Sequence, residues 1–367
     1  MNIYLVGGAV RDRLRGLTPL DYDYVVLGGS EKDLQAHISG LTRVGQGVPV
    51  FVRGNEQYTI STYPDMAADL DSRDLTINAL AQDKQGQILA HPQALADLHD
   101  QILRPVRLEN FLADPLRVFR AARFAATLPH FSVHFQLILA MQSVPHSALS
   151  QVAAERVGQE VLKACQGEQP GRFLRLLCQG HALDPWFREL AQADDIPAGP
   201  VPYHDSSVLE HTAQVMDNCA GDPLAVWMAL CHDLGKTSTP EKKWPHHFGH
   251  EQRGQALAQS MGQRLRLPRR YILAGSLAAR WHMAGGNYLE LREATKVRLL
   301  LTLVKADIFD SFFHLVQADG GHDHSPRAKA DLEIIQSVRL PEKHHNRGHR
   351  SAEILLQLRC EALAKHV

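Results

Sequence analysis

Cysteine is scarce in this chain. Of 367 residues only five are cysteine, Cys165, Cys178, Cys219, Cys231 and Cys360, and no two form a C-x-x-C pair. That absence argues against a disulfide framework or a zinc ribbon and fits reduced thiols in a cytoplasmic protein, most of them small core residues. Neither sign of charge dominates: 39 Lys and Arg against 40 Asp and Glu leave a formal net charge of -1. A polybasic coat is therefore excluded, and any contact with nucleic acid must be concentrated in a local groove. No apolar run approaches the length of a membrane span. The N-terminal run Ile3 to Val6 has no basic region before it, so it reads as a strand and not as a signal or anchor. Repeats and low-complexity tracts are also missing. At this length one compact core is insufficient, and two to four modules are expected.

Strand signals dominate the first part. Asn2 to Val6, Tyr22 to Leu27, Val48 to Arg53 and Gln57 to Thr62 are short, rich in β-branched or aromatic residues, and punctuated by glycine. Residues 12 to 17 and 30 to 39, with a third segment at Ile77 to Ala81, read as helices between them. The result is a small α+β module ending near residue 104. Beyond Pro105 the apolar residues recur at helical spacing, as in Leu116, Phe119 and Phe124 and again in Leu174 and Leu177, so the remainder reads as all-α. Asp194 to Pro202 is the best internal linker, and Gly320 to Ser325 is a second loop.

The densest chemistry lies at the start. The first strand runs into Gly7-Gly8-Ala9-Val10-Arg11-Asp12, and Asp21-Tyr22-Asp23 opens the second. Side chains at i and i+2 of a strand share a face, so Asp21 and Asp23 project together and need a cation between them. Hard divalent ions such as Mg2+ suit carboxylate oxygens, and a pair of them can clamp the attacking and leaving oxygens of a displacement. Glycines after a strand let the main chain approach a triphosphate, and Arg11 adds a bidentate phosphate contact. Separately, Gly-Gly is an ordinary turn and Asp-x-Asp an ordinary solvated strand edge. Their conjunction within a few residues points to phosphoryl chemistry.

Three more clusters follow in order: Asp71-Ser72-Arg73-Asp74-Leu75-Thr76-Ile77-Asn78-Ala79-Leu80, Asp114-Pro115-Leu116-Arg117-Val118-Phe119-Arg120-Ala121-Ala122-Arg123-Phe124, and Cys231-His232-Asp233-Leu234-Gly235-Lys236. With the opening motif they make the chain similar, over nearly its whole length, to the class II tRNA nucleotidyltransferases, the bacterial CCA-adding family with an HD domain. The resemblance implies an α+β fold class: a polymerase β-like nucleotidyltransferase head over 1–104, a helical neck and body with nucleotide recognition over 105–200, an HD phosphohydrolase-like domain over 201–320, and a helical tail over 321–367. It implies that Gly7, Gly8, Arg11 and Arg73 hold the incoming nucleotide. Asp21 and Asp23 would bind catalytic Mg2+, which lowers the pKa of the tRNA 3′-hydroxyl and neutralises the leaving pyrophosphate.

Asp74 could serve the nucleotide or simply cap the following helix, and capping is the simpler role. In the family, residues matching Asp114 and Arg117 pair with the edges of cytosine or adenine, and those matching Arg120 and Arg123 reach the nucleotide. A carboxylate and a guanidinium can mimic Watson–Crick edges, so a base can be selected without a template strand. Solvated arginines behind an N-cap are the plainer alternative. The implied partners are CTP, ATP as a further candidate, and the 3′ end, acceptor stem and elbow of tRNA. No membrane is involved, and the protein is expected as a monomer or homodimer.

The chain has 21 histidines, and His204, His211, His232, His246, His247, His250 and His282 gather in its second half. A helix from Ser206 would carry His211, and another would end at His232-Asp233 with Gly235 as its C-cap. By resemblance to HD phosphohydrolases, His211, His232, Asp233 and Asp307 would bind one divalent ion (Ni2+, Mg2+ or similar), with the loop from His246 to His250 completing or flanking the site. Related enzymes show phosphatase, 2′-nucleotidase and 2′,3′-cyclic phosphodiesterase activity there. Arg264, Arg266, Arg269 and Arg270 could form a basic stripe or a solvated helix end, and Glu155, Arg156 and Glu160 would brace the neck.

Three departures bear on specificity. Thr62-Tyr63 runs into Pro64-Asp65 and reaches Arg73 within a few residues, where the family has a long mobile loop associated with switching the pocket from cytosine to adenine. Ser72 replaces the leading arginine of an Arg-Arg-Asp segment, and Ala113 replaces a glutamate. The shortened loop resembles that of enzymes that add only CC, so efficient CTP addition with weak or absent ATP addition is expected. Poly(A) polymerase, a non-catalytic RNA-binding scaffold and an HD phosphohydrolase with a degenerate head are the competing classes. Paired metal carboxylates argue against a pure binding module.

Overall fold

The computed structural model describes residues 1–44, 49–201 and 206–365; His204 and Pro202 lie outside them. The chain forms two compact units. One comprises Met1–Val152 with Gln179–Ala182, the other Ala153–Cys178 with Leu183–Val367. The division at Val152 differs from a boundary near residue 104, because the helices after Pro105 share the core of the first unit.

That unit is built on a mixed sheet. Its strands are β1 (Asn2–Val6), β2 (Tyr22–Leu27), β3 (Thr42–Val44), β4 (Val50–Arg53), β5 (Glu56–Ile60), β6 (Leu80–Gln82) and β7 (Ile88–Ala90), in the order β3-β4-β5-β2-β1-β6-β7. Only β2 and β5 are parallel; the other pairs run antiparallel. Strand β2 is central and covered on both faces. Tyr24 and Val26 pack with Leu34, Phe51 and Tyr58, while Val25 and Leu27 pack with Val6, Met66, Leu70 and Ala81 on the other side. The period of two thus sends Asp23 to the face that carries Val25 and Leu27.

The helices of this unit are α1 (Gly8–Leu14), α2 (Glu31–His37), α3 (Met66–Asp71), α4 (Ala94–His99), α5 (Glu109–Ala113), α6 (Leu116–Thr127), α7 (Phe135–Gln142) and α8 (His146–Leu149). A two-stranded parallel ribbon pairs β8 (Ile102–Leu103) with β9 (Ser132–Val133). Two local expectations change. The first helix begins at Gly8 and not at residue 12, because Gly7 adopts φ 67° and turns the chain directly out of β1. Ile77 to Ala81 is a 3-10 turn, Thr76–Asn78, followed by β6, since the apolar run is consumed by sheet pairing with β1.

The second unit is helical: α9 (Ala154–Ala164), α10 (Gly171–Gln179), α11 (Val208–Asn218), α12 (Pro223–His232), α13 (His250–Arg264), α14 (Arg269–Gly286), α15 (Glu293–Lys305), α16 (Phe309–Gly320), α17 (Ser325–Ser337) and α18 (His349–Ala364). Helix α12 is its axis. Every residue from Leu224 to His232 is buried, as expected of a helix that is apolar all round. Asp222 caps it, accepting from the N–H groups of Leu224 and Ala225 at 3.0 Å, with Pro223 in the first turn. Each fully buried large side chain, such as Trp227, stabilises the unit by roughly 1.5–3 kcal/mol. Helices α11, α13, α14 and α16 all pack against α12. Among the described residues no helix is long and apolar enough to cross a membrane.

Candidate active site and metal centre

In the first unit, Asp23 stands opposite Val6 of β1 and Gln57 of β5, at the middle of the sheet, and it remains exposed. Asp21 lies just before β2 and is exposed as well. Exposure of two neighbouring acids at the sheet centre leaves their oxygens accessible to hydrated cations. Gly7 follows the end of β1. A Cβ placed there would lie 3.7 Å from Nη1 of Arg73, so the arginine head stands directly over bare backbone. Arg73 is held there by Asp69, which accepts from its Nη2 at 2.6 Å and its Nε at 3.1 Å. Asp69 in turn accepts from the Ser61 hydroxyl at 3.2 Å.

Behind this surface lies a buried polar chain. Arg11 donates from Nη1 to Asn78 Oδ1 at 2.8 Å, and Asn78 donates from Nδ2 to Asp74 Oδ1 at 3.1 Å. Arg120 reaches Asp74 Oδ2 through Nε at 2.8 Å and Nη2 at 2.7 Å. Burial alone would raise the Asp74 carboxyl, but Arg120, Asn78 and the Leu75 N–H together hold it well below the usual carboxylate range. Asp74 thus anchors an arginine; its side chain caps no helix, and the 3-10 turn that follows begins after Leu75 without a side-chain cap. Helix α6 opens as its Asp-Pro start implies, with Asp114 accepting from the Leu116 N–H at 3.2 Å. Arg117 donates to the Arg73 carbonyl at 3.4 Å. The guanidinium carbons of Arg11, Arg120 and Arg123 lie 5.5, 5.8 and 3.7 Å from the centroid of the Phe124 ring. The nucleotide-binding candidates Arg11, Arg73, Arg117, Arg120 and Arg123 therefore converge with Gly7 in one unit.

The link between the sheet and Arg73 is short, as the run from Thr62-Tyr63 into Pro64-Asp65 leads one to expect. Strand β5 ends at Ile60, Ser61 to Asp65 make the turn, and Asp65 caps α3 by accepting from the Ala68 N–H at 2.9 Å.

In the second unit, four helices and the end of α12 deliver a histidine–carboxylate cluster. His211 (α11), His232 and Asp233 form one potential cation cage, and Asp233, His250 (α13) and His282 (α14) form another, with ligand atoms within 4.8 Å of one another in each. The two cages share Asp233. Its Oδ2 lies 3.4 and 3.2 Å from Nε2 of His211 and His232, and its Oδ1 lies 3.3 and 3.5 Å from Nε2 of His250 and His282. Asp319 (α16) completes the first set, 3.1 Å from His211 and 3.8 Å from His232.

The tautomers suit ligation. Nδ1 of His232 faces the Ala229 carbonyl at 2.6 Å, Nδ1 of His250 the His247 carbonyl at 2.9 Å, and Nδ1 of His282 the Ala279 carbonyl at 3.1 Å. With Nδ1 protonated toward its carbonyl, each ring would turn an Nε2 lone pair inward. Nε2 meets Nε2 at 3.3 Å between His211 and His232 and at 3.1 Å between His250 and His282. Asp233 Oδ1 is buried with no hydrogen-bond partner. Complete burial should neutralise Asp233, yet His232 and Lys236, whose Nζ lies 2.6 Å away, keep its carboxyl far below the usual range. Asp319 is lowered too: burial opposes ionisation, and His211 and His232 overcome it. Burial works against the His211 imidazolium, but Asp233 and Asp319 raise its pKa to about 9. Two carboxylates held ionised in a largely buried cluster with imidazole nitrogens form a donor set that fits divalent cations.

Several expectations are corrected here. Asp307 is not in the cluster: its side chain is 90% exposed, it occupies a left-handed turn (φ 55°) after α15, and it pairs with Arg270 at 3.2 Å. Asp319 stands where that carboxylate was expected. A signal for it existed, because Phe312, Leu315, Val316 and Asp319 fall on one helical stripe, and the three apolar members are buried. His250 and His282 belong with the cluster as well. His246 instead stacks on the exposed Phe248 at 5.7 Å, and His247 pairs with the Pro197 carbonyl. Gly235 is not a C-cap, since α12 ends at His232 with Asp233 next. A Cβ at Gly235 would lie 1.9 Å from the His250 carbonyl oxygen, so the glycine serves a backbone contact with α13. The arginine stripe is largely neutralised: Arg264 pairs with Glu189, Arg266 with Glu155 and Arg270 with Asp307.

Comparison with known proteins places the chain in a family. Residues 130–194 match the family described as the probable RNA and SrmB-binding site of polymerase A. Over 362 residues the chain is 36% identical to the multifunctional CCA protein of Aromatoleum aromaticum, covering 92% of this chain and 88% of the relative. It is 35% identical over 369 residues to that of Pseudomonas savastanoi pv. phaseolicola, covering 92% and 90%. Its fold resembles the Bacillus stearothermophilus CCA-adding enzyme in complex with CTP, with a TM-score of 0.65 and 20% identity over 100% of this chain and 89% of the other. It also resembles the Thermotoga maritima CCA-adding enzyme complexed with tRNA, with a TM-score of 0.62 and 17% identity over 100% and 92%.

Proposed function

Since the chain belongs to the family of multifunctional CCA proteins, it is a tRNA 3′-end nucleotidyltransferase with tRNA and nucleoside triphosphates as its partners, and we propose that it adds C efficiently and A poorly or not at all. The observation that carries this reading is the tight link from Ser61 to Asp65, where the family resemblance leads one to expect a long loop. Its ends are fixed, Ser61 by its bond to Asp69 and Asp65 by its cap on α3. A pocket whose rim has no spare chain has one setting, and the guanidinium and carboxylate edges of α6 then suit one base.

In this reading Asp21 and Asp23 would hold Mg2+, which would supply charge neutralisation for the tRNA 3′-hydroxyl and the leaving pyrophosphate. Gly7 and Gly8 admit the triphosphate against the backbone, and Arg11 and Arg73 grip it. Asp114 and Arg117 select the base, with Arg120 and Arg123 beside them. The protein works in the cytoplasm, as its reduced, unpaired cysteines suggest. Incubating it with tRNA lacking the terminal CCA and with CTP or ATP separately labelled tests the proposal. Products should stop after two added nucleotides; complete CCA synthesis with all three steps at comparable rates rules it out.

A second reading concerns the helical unit. The sharing of Asp233 between two histidine sets supports a hydrolase centre that holds one divalent cation on His211, His232, Asp233 and Asp319 and a neighbouring one on Asp233, His250 and His282. Its substrates are phosphomonoesters or 2′,3′-cyclic phosphates of nucleosides. His232→Ala protein that hydrolyses 2′,3′-cyclic nucleotides at the wild-type rate defeats this reading.

A further inference from the structure

The chain Arg11–Asn78–Asp74–Arg120 connects two groups that the proposed site uses for different ends of the same nucleotide. Arg11 leaves the cradle at Gly7 and Gly8; Arg120 sits on α6 among the base-selecting residues. Both guanidiniums lie over the ring of Phe124, at 5.5 and 5.8 Å, so two like charges share one small volume. Asp12 pairs with Arg11 at 2.9 Å and Asp74 with Arg120 at 2.7 Å. Between them stands Asn78, 5% exposed, on a 3-10 turn fixed by the Thr76 hydroxyl donating to Asp97 at 2.7 Å.

The side-chain type at 78 is dictated by its neighbours. The position needs an acceptor toward Arg11 and a donor toward Asp74, and a primary amide supplies both from one carbon. A carboxylate there would face Asp74 as a like charge, and an apolar residue would strand a buried guanidinium N–H and a carboxylate oxygen.

We propose that Asn78 and Asp74 are positioning residues for the incoming nucleotide: together they hold the Arg11 and Arg120 guanidiniums at a fixed separation, so that grip on the triphosphate and selection of the base are set as one unit. This rests on the assignment of Arg11 and Arg120 to nucleotide binding made above. The effect acts through the arginines, since neither Asn78 nor Asp74 is exposed enough to meet a ligand directly.

The test measures the affinity of the full-length protein for inorganic tripolyphosphate with Mg2+, and for CTP, by calorimetry. Asn78→Ala should weaken tripolyphosphate roughly tenfold, the scale of a lost hydrogen bond to a charged group. In an Arg11→Ala background the same substitution should add little. Asp74→Asn is the sharper arm. Removing a negative charge near an anion site would by simple electrostatics tighten tripolyphosphate, whereas release of Arg11 and Arg120 from their relay loosens it. Asn78→Ser replaces Asn78→Ala if the latter does not fold, and melting curves verify that each variant is folded at the assay temperature. Unchanged tripolyphosphate affinity in the Asn78 variant, additive effects with Arg11→Ala, or tighter binding by Asp74→Asn overturns the inference alone. Unchanged affinity in Arg11→Ala overturns the assignment of Arg11 and the inference with it.

Discussion

Replacing Gly235 by alanine should disable the histidine cluster without touching a ligand. The added methyl would lie 1.9 Å from the His250 carbonyl oxygen and 2.7 Å from the Gly254 nitrogen, both main-chain atoms of α13. Ordinary contact begins near 3.4 Å, so the turn and the helix must part by about 1.5 Å. No rotamer relieves this, because no side chain is at fault. Overpacking of this kind costs about 1–3 kcal/mol, and separation of α13 from the turn moves His250 away from Asp233. A displacement near 1 Å at reacting groups costs on the order of 10²-fold in rate. Urea denaturation should report the stability loss, and hydrolysis of 2′,3′-cyclic nucleotides should fall by that order while CTP incorporation into tRNA persists. Wild-type stability together with wild-type hydrolysis would refute the steric argument.

Three further outcomes are expected. Asp319→Asn should weaken divalent-cation binding to the helical unit by more than the roughly 10–100-fold typical of an outer-shell change, whereas Asp307→Asn leaves it unaltered; calorimetric titration with Ni2+ or Mn2+ compares them, and equal effects would return Asp307 to the site. Asp23→Asn should abolish nucleotide incorporation yet spare cyclic-nucleotide hydrolysis, with His232→Ala giving the reverse pattern in the same two assays. Asp74→Asn should destabilise the fold by about 1–2 kcal/mol near neutrality, because the partly exposed Arg120 guanidinium loses its buried counter-charge and solvent screens part of the loss. Since the folded carboxyl is held below its unfolded value, that difference is full above the unfolded pKa and shrinks as pH falls toward the folded one. Urea curves at a series of pH values from neutrality down to well below the ordinary Asp pKa of about 3.9 check this, and a gap that widens on acidification contradicts it.

Local signals in the chain were legible where one periodicity ruled. Strands β1 and β2 end where their apolar runs end, and the Asp-Pro pair does open α6. Sequence reading failed where tertiary contacts decided. Ile77 to Ala81 carries apolar residues that fit either a helix or a strand, and the vacant edge of β1 settled the matter. Asp74 resembled a cap because Asp precedes a turn, but the partner that holds it ionised, Arg120, comes from 46 residues away. Asp307 and Asp319 flank the same helix. What separates them is the apolar stripe of α16: Asp319 continues the face that carries the buried Phe312, Leu315 and Val316, whereas Asp307 sits in an exposed turn before the helix. Short-range patterns thus reveal which residues are chemically capable; the packing of α12 against its neighbours determines which of them meet.

On the CC-adding reading proposed above, the link from Ser61 to Asp65 has a consequence outside the molecule. An enzyme that stops at CC releases an RNA that cannot yet be aminoacylated, so its product becomes another protein's substrate. The cell must then supply a separate activity that recognises a CC end and adds one A. Two enzymes share a task that a single pocket with a longer rim performs without letting go. The level of half-finished tRNA would then depend on the balance between them.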